Sequence, residues 1–183
     1  MNGHHLIFGK LTDYISGKTL FDTHDERYRQ KIARLLVEKK GYAKTEILSR
    51  SELMVRAGAK CAIIKVDFKV SLSGRICLLI KYGPGSLVTR ERPALAASRL
   101  SAPYQIPIVV VTNGEDAEIL EGANGKVLAR GIEAIPSRQE VGQKFADLNF
   151  QLIAPERAEM ESRILYAFEV DGSCPCDDNI CRL

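Results

Sequence analysis

The sequence predicts an α/β fold, a mixed central sheet flanked by helices, on three observations. Apolar, β-branched runs of strand length, such as residues 62–70 and 106–112, are interspersed with segments of helical period such as residues 24–40. Ser73-Gly74, Asn113-Gly114 and Asn124-Gly125 are turn pairs placed between strands. A chain of 183 residues also buries a sizeable core without disulfides or a structural metal.

Taken in order, residues 1–22 carry brief apolar pairs without a sustained period and read as a lead-in packed on the domain. His4 and His5 lie in a terminus expected to fray, and no role is assigned to them. Thr23 to Glu26 opens the clearest helix, running to about Lys40. Tyr28, Ile32, Leu35 and Leu36 share one face and Gly41 supplies the stop. Thr23 and Glu26 have capping-box spacing, so the simplest task for Glu26 is to return its carboxylate to the Thr23 amide.

Residues 45–55 have strand composition, with a turn at Arg56 to Ala59. Two apolar strands follow within residues 62–82, bent at Ser73-Gly74. Gly83-Pro84-Gly85 forces a loop, after which Thr89 caps a helix to about Ala102 with Pro93 in its tolerant first turn. Residues 106–112 read as a strand buried on both faces. Short strands at 117–121 and 126–130 come next, then a helix from the Ser137/Glu140 capping box to about Leu148. A last helix opens at Pro155 and turns Ala158, Ile164, Leu165 and Phe168 inward. Residues 1–170 are thus expected to form one domain, and residues 171–183 a cysteine-rich tail.

Composition narrows the function classes. Hydrophobic residues at 45% and charged residues at 27% suit a soluble globular protein rather than a disordered one. No apolar run approaches the roughly 18 residues of a membrane span, and MNGHHLIFGK lacks a signal peptide's apolar core, so a cytoplasmic protein with no membrane partner is expected. Five cysteines, with Cys61 and Cys77 inside apolar strands, do not make a secreted disulfide framework. The chain shows no helicase or ATPase motif.

Charge is distributed unevenly. Residues 27–92 hold 16 Lys and Arg against 5 Asp and Glu, whereas residues 93–183 hold 8 against 14. A basic half points to a polyanionic partner, nucleic acid first, with Arg29, Lys65 and Lys69 as candidate phosphate contacts. The competing reading is a solvated face of scattered helix and hairpin charges. Within the same half, Asp67 and Lys81 stand near the ends of two neighbouring apolar strands. An acid and a lysine at one sheet edge suit metal-assisted phosphodiester chemistry, the acid holding a divalent cation and the lysine steadying water or phosphate charge. Such a pair also arises as a partly exposed ion pair at a sheet edge.

Several stretches in sequence order carry a family likeness: Glu26-Arg27-Tyr28-Arg29-Gln30, then LLVEKKGYAKTEIL, then KVDF, then an apolar strand ending in lysine, then YQIPIVVVTNGEDAEIL. Over roughly residues 22–121 the chain resembles the N-terminal nuclease domain of type I restriction enzyme R subunits, a branch of the PD-(D/E)XK nuclease superfamily. The resemblance implies a restriction-endonuclease-like sheet, DNA as partner and Mg²⁺ as cofactor of an active site. It further implies Asp67 as the metal-binding acid, Lys81 as the motif lysine and Glu26 as the acid of the first helix. A protein partner from a restriction system is also implied.

The chain departs from the pattern at Leu79, where an acid is expected two residues before the lysine. The helical glutamine and tyrosine expected next are not evident in ALAASRL, residues 94–100. Three consequences stay open. Glu26 and Asp67 hold one metal with a backbone carbonyl near Ile80, or Glu91 supplies the missing acid, or the fold binds nucleic acid or protein without cleaving. Two departures on one motif favour the last, with an active divalent-metal-dependent endonuclease as the alternative.

Beyond the resemblance, Cys174, Cys176 and Cys181 place three thiols within eight residues. They supply most of a tetrahedral zinc or an iron site, completed by Asp177, Asp178 or another chain's cysteine. The plainer reading is a tail with reactive thiols.

Overall fold

A computed structural model describes residues 6–170 and the backbone of residues 180–182. The lead-in is more ordered than its sequence suggested. It forms a hairpin of β1 (Gly9–Thr12) and β2 (Thr19–Asp22), paired antiparallel. Asp13 fastens the turn by accepting hydrogen bonds from the backbone N–H and the hydroxyl of Ser16. Helix α1 (His24–Arg34) continues as a π-helical turn over Leu35–Lys39 and stops at Gly41, whose φ of +75° suits glycine.

The main sheet contains β3 (Ile47–Ala57), β4 (Lys60–Leu72), β5 (Arg75–Tyr82), β6 (Ile108–Thr112), β7 (Ala117–Glu121) and β8 (Val127–Arg130), adjacent in that order. All neighbours are antiparallel except β5 and β6, which are joined through helix α2 (Val88–Leu100) and run parallel. A parallel pair needs such a crossover, and the apolar run Ile106–Val111 was its sequence mark. Helices α3 (Arg138–Gln143) and α4 (Pro155–Glu169) complete the four flanking helices. Strand β9 (Ile180–Arg182) pairs parallel with the Cys61–Ile63 end of β4. Cys174 and Cys176 lie outside the described residues.

Two cores cover the two faces of the sheet. One gathers Ile32, Ala33 and Leu36 of α1 with Phe68, Val70, Leu78, Ile80 and Val110. The other gathers Ala94 to Ala97 of α2 and Leu165 of α4 with Ile64, Val66, Leu79, Val109 and Val111. The small alanines of the single turn Ala94, Leu95, Ala96 and Ala97 let α2 lie close on the strands.

Several local expectations changed. The Ser137/Glu140 capping box forms, but its helix ends at Gln143 and gives way to a 3₁₀ turn at Phe145–Asp147. Thr89 does not cap α2; its hydroxyl donates to the Ser86 carbonyl, and Pro93 stands in the helix's second turn. In α4 the inward residues are Leu165 and Glu161, while Phe168 is exposed. A carboxylate took a core position because α2 brings arginines to meet it.

The sheet also prepares a singular position. Side chains of one parity along a strand share a face, yet Val66 belongs to the α2 core and Phe68 to the α1 core. The alternation therefore breaks at Asp67. Facing it, the β3–β4 ladder pairs Ser49 with Phe68 and Ser51 with Val66 and skips Arg50, whose φ is +52°. That left-handed conformation is costly for a residue with a side chain and marks a built feature.

Candidate functional site

Where β4 diverges from β5, a cleft of about 420 Å³ opens between α1, the strand ends and the C-terminus of α4. Glu26, Asp67 and Lys81 all line it, together with Arg29, Arg50, Lys65, Tyr82, Arg90 and Glu169. The three residues drawn from distant parts of the sequence thus share one cavity. Glu91, offered as a substitute acid, is not among its lining residues. Lys69 is not either; it is buried beside Leu79 across the strand pair, and burial lowers its pKa.

Each carboxylate is already engaged. One Asp67 oxygen accepts from Arg29 Nε at 2.6 Å and the other from the Tyr82 backbone N–H at 2.9 Å. That second bond falls just past the end of the β4–β5 ladder, so the break at Asp67 is what frees its side chain for it. Arg29 also lies over the Tyr82 ring, 4.9 Å from its centre, and Tyr82 stacks on Tyr28 with ring centres 6.0 Å apart. Tyr28 in turn packs against Gly114, where a Cβ would sit 2.3 Å from the ring, so the Asn113-Gly114 turn is glycine for contact as well as for its φ of +88°.

Glu26 does not return to the Thr23 amide. Thr23 caps the Glu26 N–H at 3.2 Å, but the Glu26 carboxylate accepts from Gln30 Nε2 at 2.8 Å and from Arg50. Arg50 reaches Asp13 with its other nitrogen at 3.2 Å, and Gln30 donates to Asp13 at 2.8 Å. Asp13, Arg50, Glu26 and Gln30 thus close a ring at the base of the cleft. Burial pushes the Asp13 pKa up, but bonds from Ser16 and Gln30 and the Arg50 charge outweigh it and hold it at about 2. Lys81 Nζ is 3.0 Å from Glu169 Oε1.

A divalent cation needs carboxylate oxygens free to bind it, whereas here Asp67 Oδ1 faces Arg29, Asp67 Oδ2 the Tyr82 amide, and Glu26 Oε1 both Arg50 and Gln30. Leu79, at the third acid position, is wholly buried under α2. Among the described residues no three His, Cys, Asp or Glu side chains are grouped to hold a metal. By lining charge the cleft has five cations and three anions, which suits an anionic guest.

Asp13, Arg50 and Glu169 escaped the sequence reading. Asp13 lies in the lead-in, Arg50 in a strand with no motif, and Glu169 far down the chain. The positive φ of Arg50 has no signature in residue type, so only the fold could reveal it.

Glu91 meets a different partner, the carboxyl of Glu118, which also accepts from Arg130 at 2.9 Å. Burial first, then the bond to Glu118, raises the Glu91 pKa. A raised carboxyl contributes stability below the ordinary glutamate range and loses it as pH rises through the folded value. Glu91→Gln keeps a donor toward Glu118 at every pH, so it is expected to raise Tm at pH 7 by roughly 2 °C and to change it little at pH 4. Thermal melts at the two pH values check this; a lower Tm at pH 7 contradicts it.

A family model described as type I restriction enzyme R protein N terminus matches residues 24–136, a span holding α1, β3 to β8 and α2 but neither Asp13 nor α4. No curated protein and no solved structure gives a significant match.

Proposed function

Because the chain belongs to the type I restriction enzyme R protein N-terminus family, we propose that it is a DNA-binding member whose phosphodiester cleavage is impaired or lost. The observation that carries the reading is the occupation of both candidate metal acids by arginines, Asp67 by Arg29 and Glu26 by Arg50. An internal guanidinium supplies positive charge where an active relative would need a metal, but it cannot polarise a water as a divalent cation does. Leu79 adds no oxygen to compete with it.

The same cations serve binding. Arg29 is fixed by Asp67 and by Tyr82, and Arg50 by Asp13 and Glu26, so little freedom is lost when a phosphate arrives. Lys65 and Arg90 complete the positive lining. Family membership supports a role in a DNA-acting restriction system, with a protein partner as the second proposed contact. No helix among the described residues is long and apolar enough to cross a membrane.

Two measurements test the proposal together. Plasmid and single-stranded DNA incubated with Mg²⁺ or Mn²⁺ should show the same background nicking with the natural protein and with Asp67→Ala. Binding to a short duplex should weaken with salt, with a slope of log K against log salt of about −2 for two to three phosphates. Metal-dependent nicking abolished by Asp67→Ala would establish the active endonuclease instead. Absence of DNA binding at low salt would remove the nucleic-acid role.

A further inference from the structure

The lysine of the cleft is met by an acid from outside the matched family span. Glu169 is the last residue of α4, and its Oε1 lies 3.0 Å from Lys81 Nζ. Asp67, the acid expected beside this lysine, is turned to Arg29 and the Tyr82 amide. The Lys81 and Glu169 side chains are 10% and 21% exposed, so the pair is shielded from solvent more than a surface bridge but is open at the mouth of the cleft.

Helix α4 does not present this acid casually. Four residues from its end Leu165 is fully buried, and Ser162 both accepts from the Arg56 N–H at 2.6 Å and donates to the Arg56 carbonyl at 3.1 Å. Glu161 ties the same helix to α2 through arginines. The carboxylate is therefore delivered at a fixed height above β5, where a phosphate oxygen seeking Lys81 would sit.

We propose that Glu169 is a built-in competitor of nucleic-acid phosphate for Lys81, so that α4 sets the affinity of the cleft from outside the matched domain. The inference rests on the cleft being a DNA-binding site. A carboxylate and a phosphate oxygen carry the same charge sign and draw on the same ammonium, so Glu169 at 3.0 Å offsets the Lys81 charge and repels a phosphate that approaches it, even though Nζ has N–H donors to spare. The partial exposure of Glu169 lets its side chain swing toward solvent when the phosphate arrives. Removing the competing charge leaves Lys81 free to release one more counterion on binding.

The test is fluorescence anisotropy with a labelled 20-nucleotide single strand and the matching duplex, across a salt series, on the full chain. Glu169→Gln is expected to tighten binding about five- to tenfold and steepen the salt slope by about one. Lys81→Met should weaken the natural protein only slightly, and Glu169→Gln in the Lys81→Met background should change nothing. Inorganic phosphate as competitor separates a general anion pocket from one that needs the strand. Lys81 labelling by limiting acetic anhydride, read by mass spectrometry, gives a DNA-independent readout and should rise in Glu169→Gln.

Unchanged or weaker DNA binding by Glu169→Gln overturns the inference while leaving the DNA-binding reading intact. If no form binds DNA, both fall, whatever the labelling shows. Mn²⁺-dependent cleavage that disappears in Glu169→Gln overturns it differently, making Glu169 a metal ligand.

Discussion

Glu161→Ala is expected to destabilise the protein by about 4 kcal/mol, measured by urea denaturation at pH 7. Glu161 is fully buried and meets Arg92 at 2.6 Å, Arg157 at 2.7 Å and Arg99 at 2.8 Å. Arg92 and Arg157 are partly exposed and can return to water. Arg99 cannot, because it is buried and also donates to Gln105 Oε1 at 2.9 Å. Removing the acid therefore strands a guanidinium in the core, which is the costly case; the bridge itself contributes much less than its loss costs. The double variant Glu161→Leu, Arg99→Met should recover most of the stability. A loss under about 1 kcal/mol in Glu161→Ala would show that Arg99 finds another outlet.

Asp13→Ala is expected to cost about 3 kcal/mol and to loosen the cleft, although Asp13 lies outside both the resemblance and the matched family span. Asp13 is 1% exposed and receives Ser16, Gln30 and Arg50. Without it Arg50 keeps only Glu26, and its strained φ of +52° loses the contact that holds it. The pH dependence identifies the residue. Its carboxyl is lowered from 3.8 to about 2, so its contribution is complete above about pH 4 and is lost as pH falls toward 2. Glu161 is also held below its ordinary value, because its arginines outweigh the burial that would raise it. The natural protein should thus lose stability steeply between about pH 4 and pH 2, and Asp13→Ala should lose less across that window. Equal slopes for the two proteins would show that Asp13 is not held low.

Residues near one another in sequence announced much of the fold. The Ser137/Glu140 box, the Thr23 cap, the Gly41 stop and the apolar run before Thr112 each depend on contacts within a few residues, and each formed as expected. The lead-in hairpin did not announce itself, because its strands are four residues long and their stability comes from Asp13 reaching Gln30 and Arg50. Phe168 misled for a related reason: helical period places it inward, but α2 offers α4 arginines and alanines rather than a hollow for an aromatic ring.

By itself the sequence determined the α/β class, the family, and the acids and lysine that stand at the strand ends, since these follow from local pattern and residue type. Only the tertiary structure decided what those groups touch. Arg50, Arg29 and Glu169 come from a β-strand, a helix and a second helix far apart in the chain, and charge neutralisation over a few ångströms depends on where the folded backbone delivers them. A carboxylate in a sequence is a candidate ligand for any cation, and the fold selects which cation reaches it first.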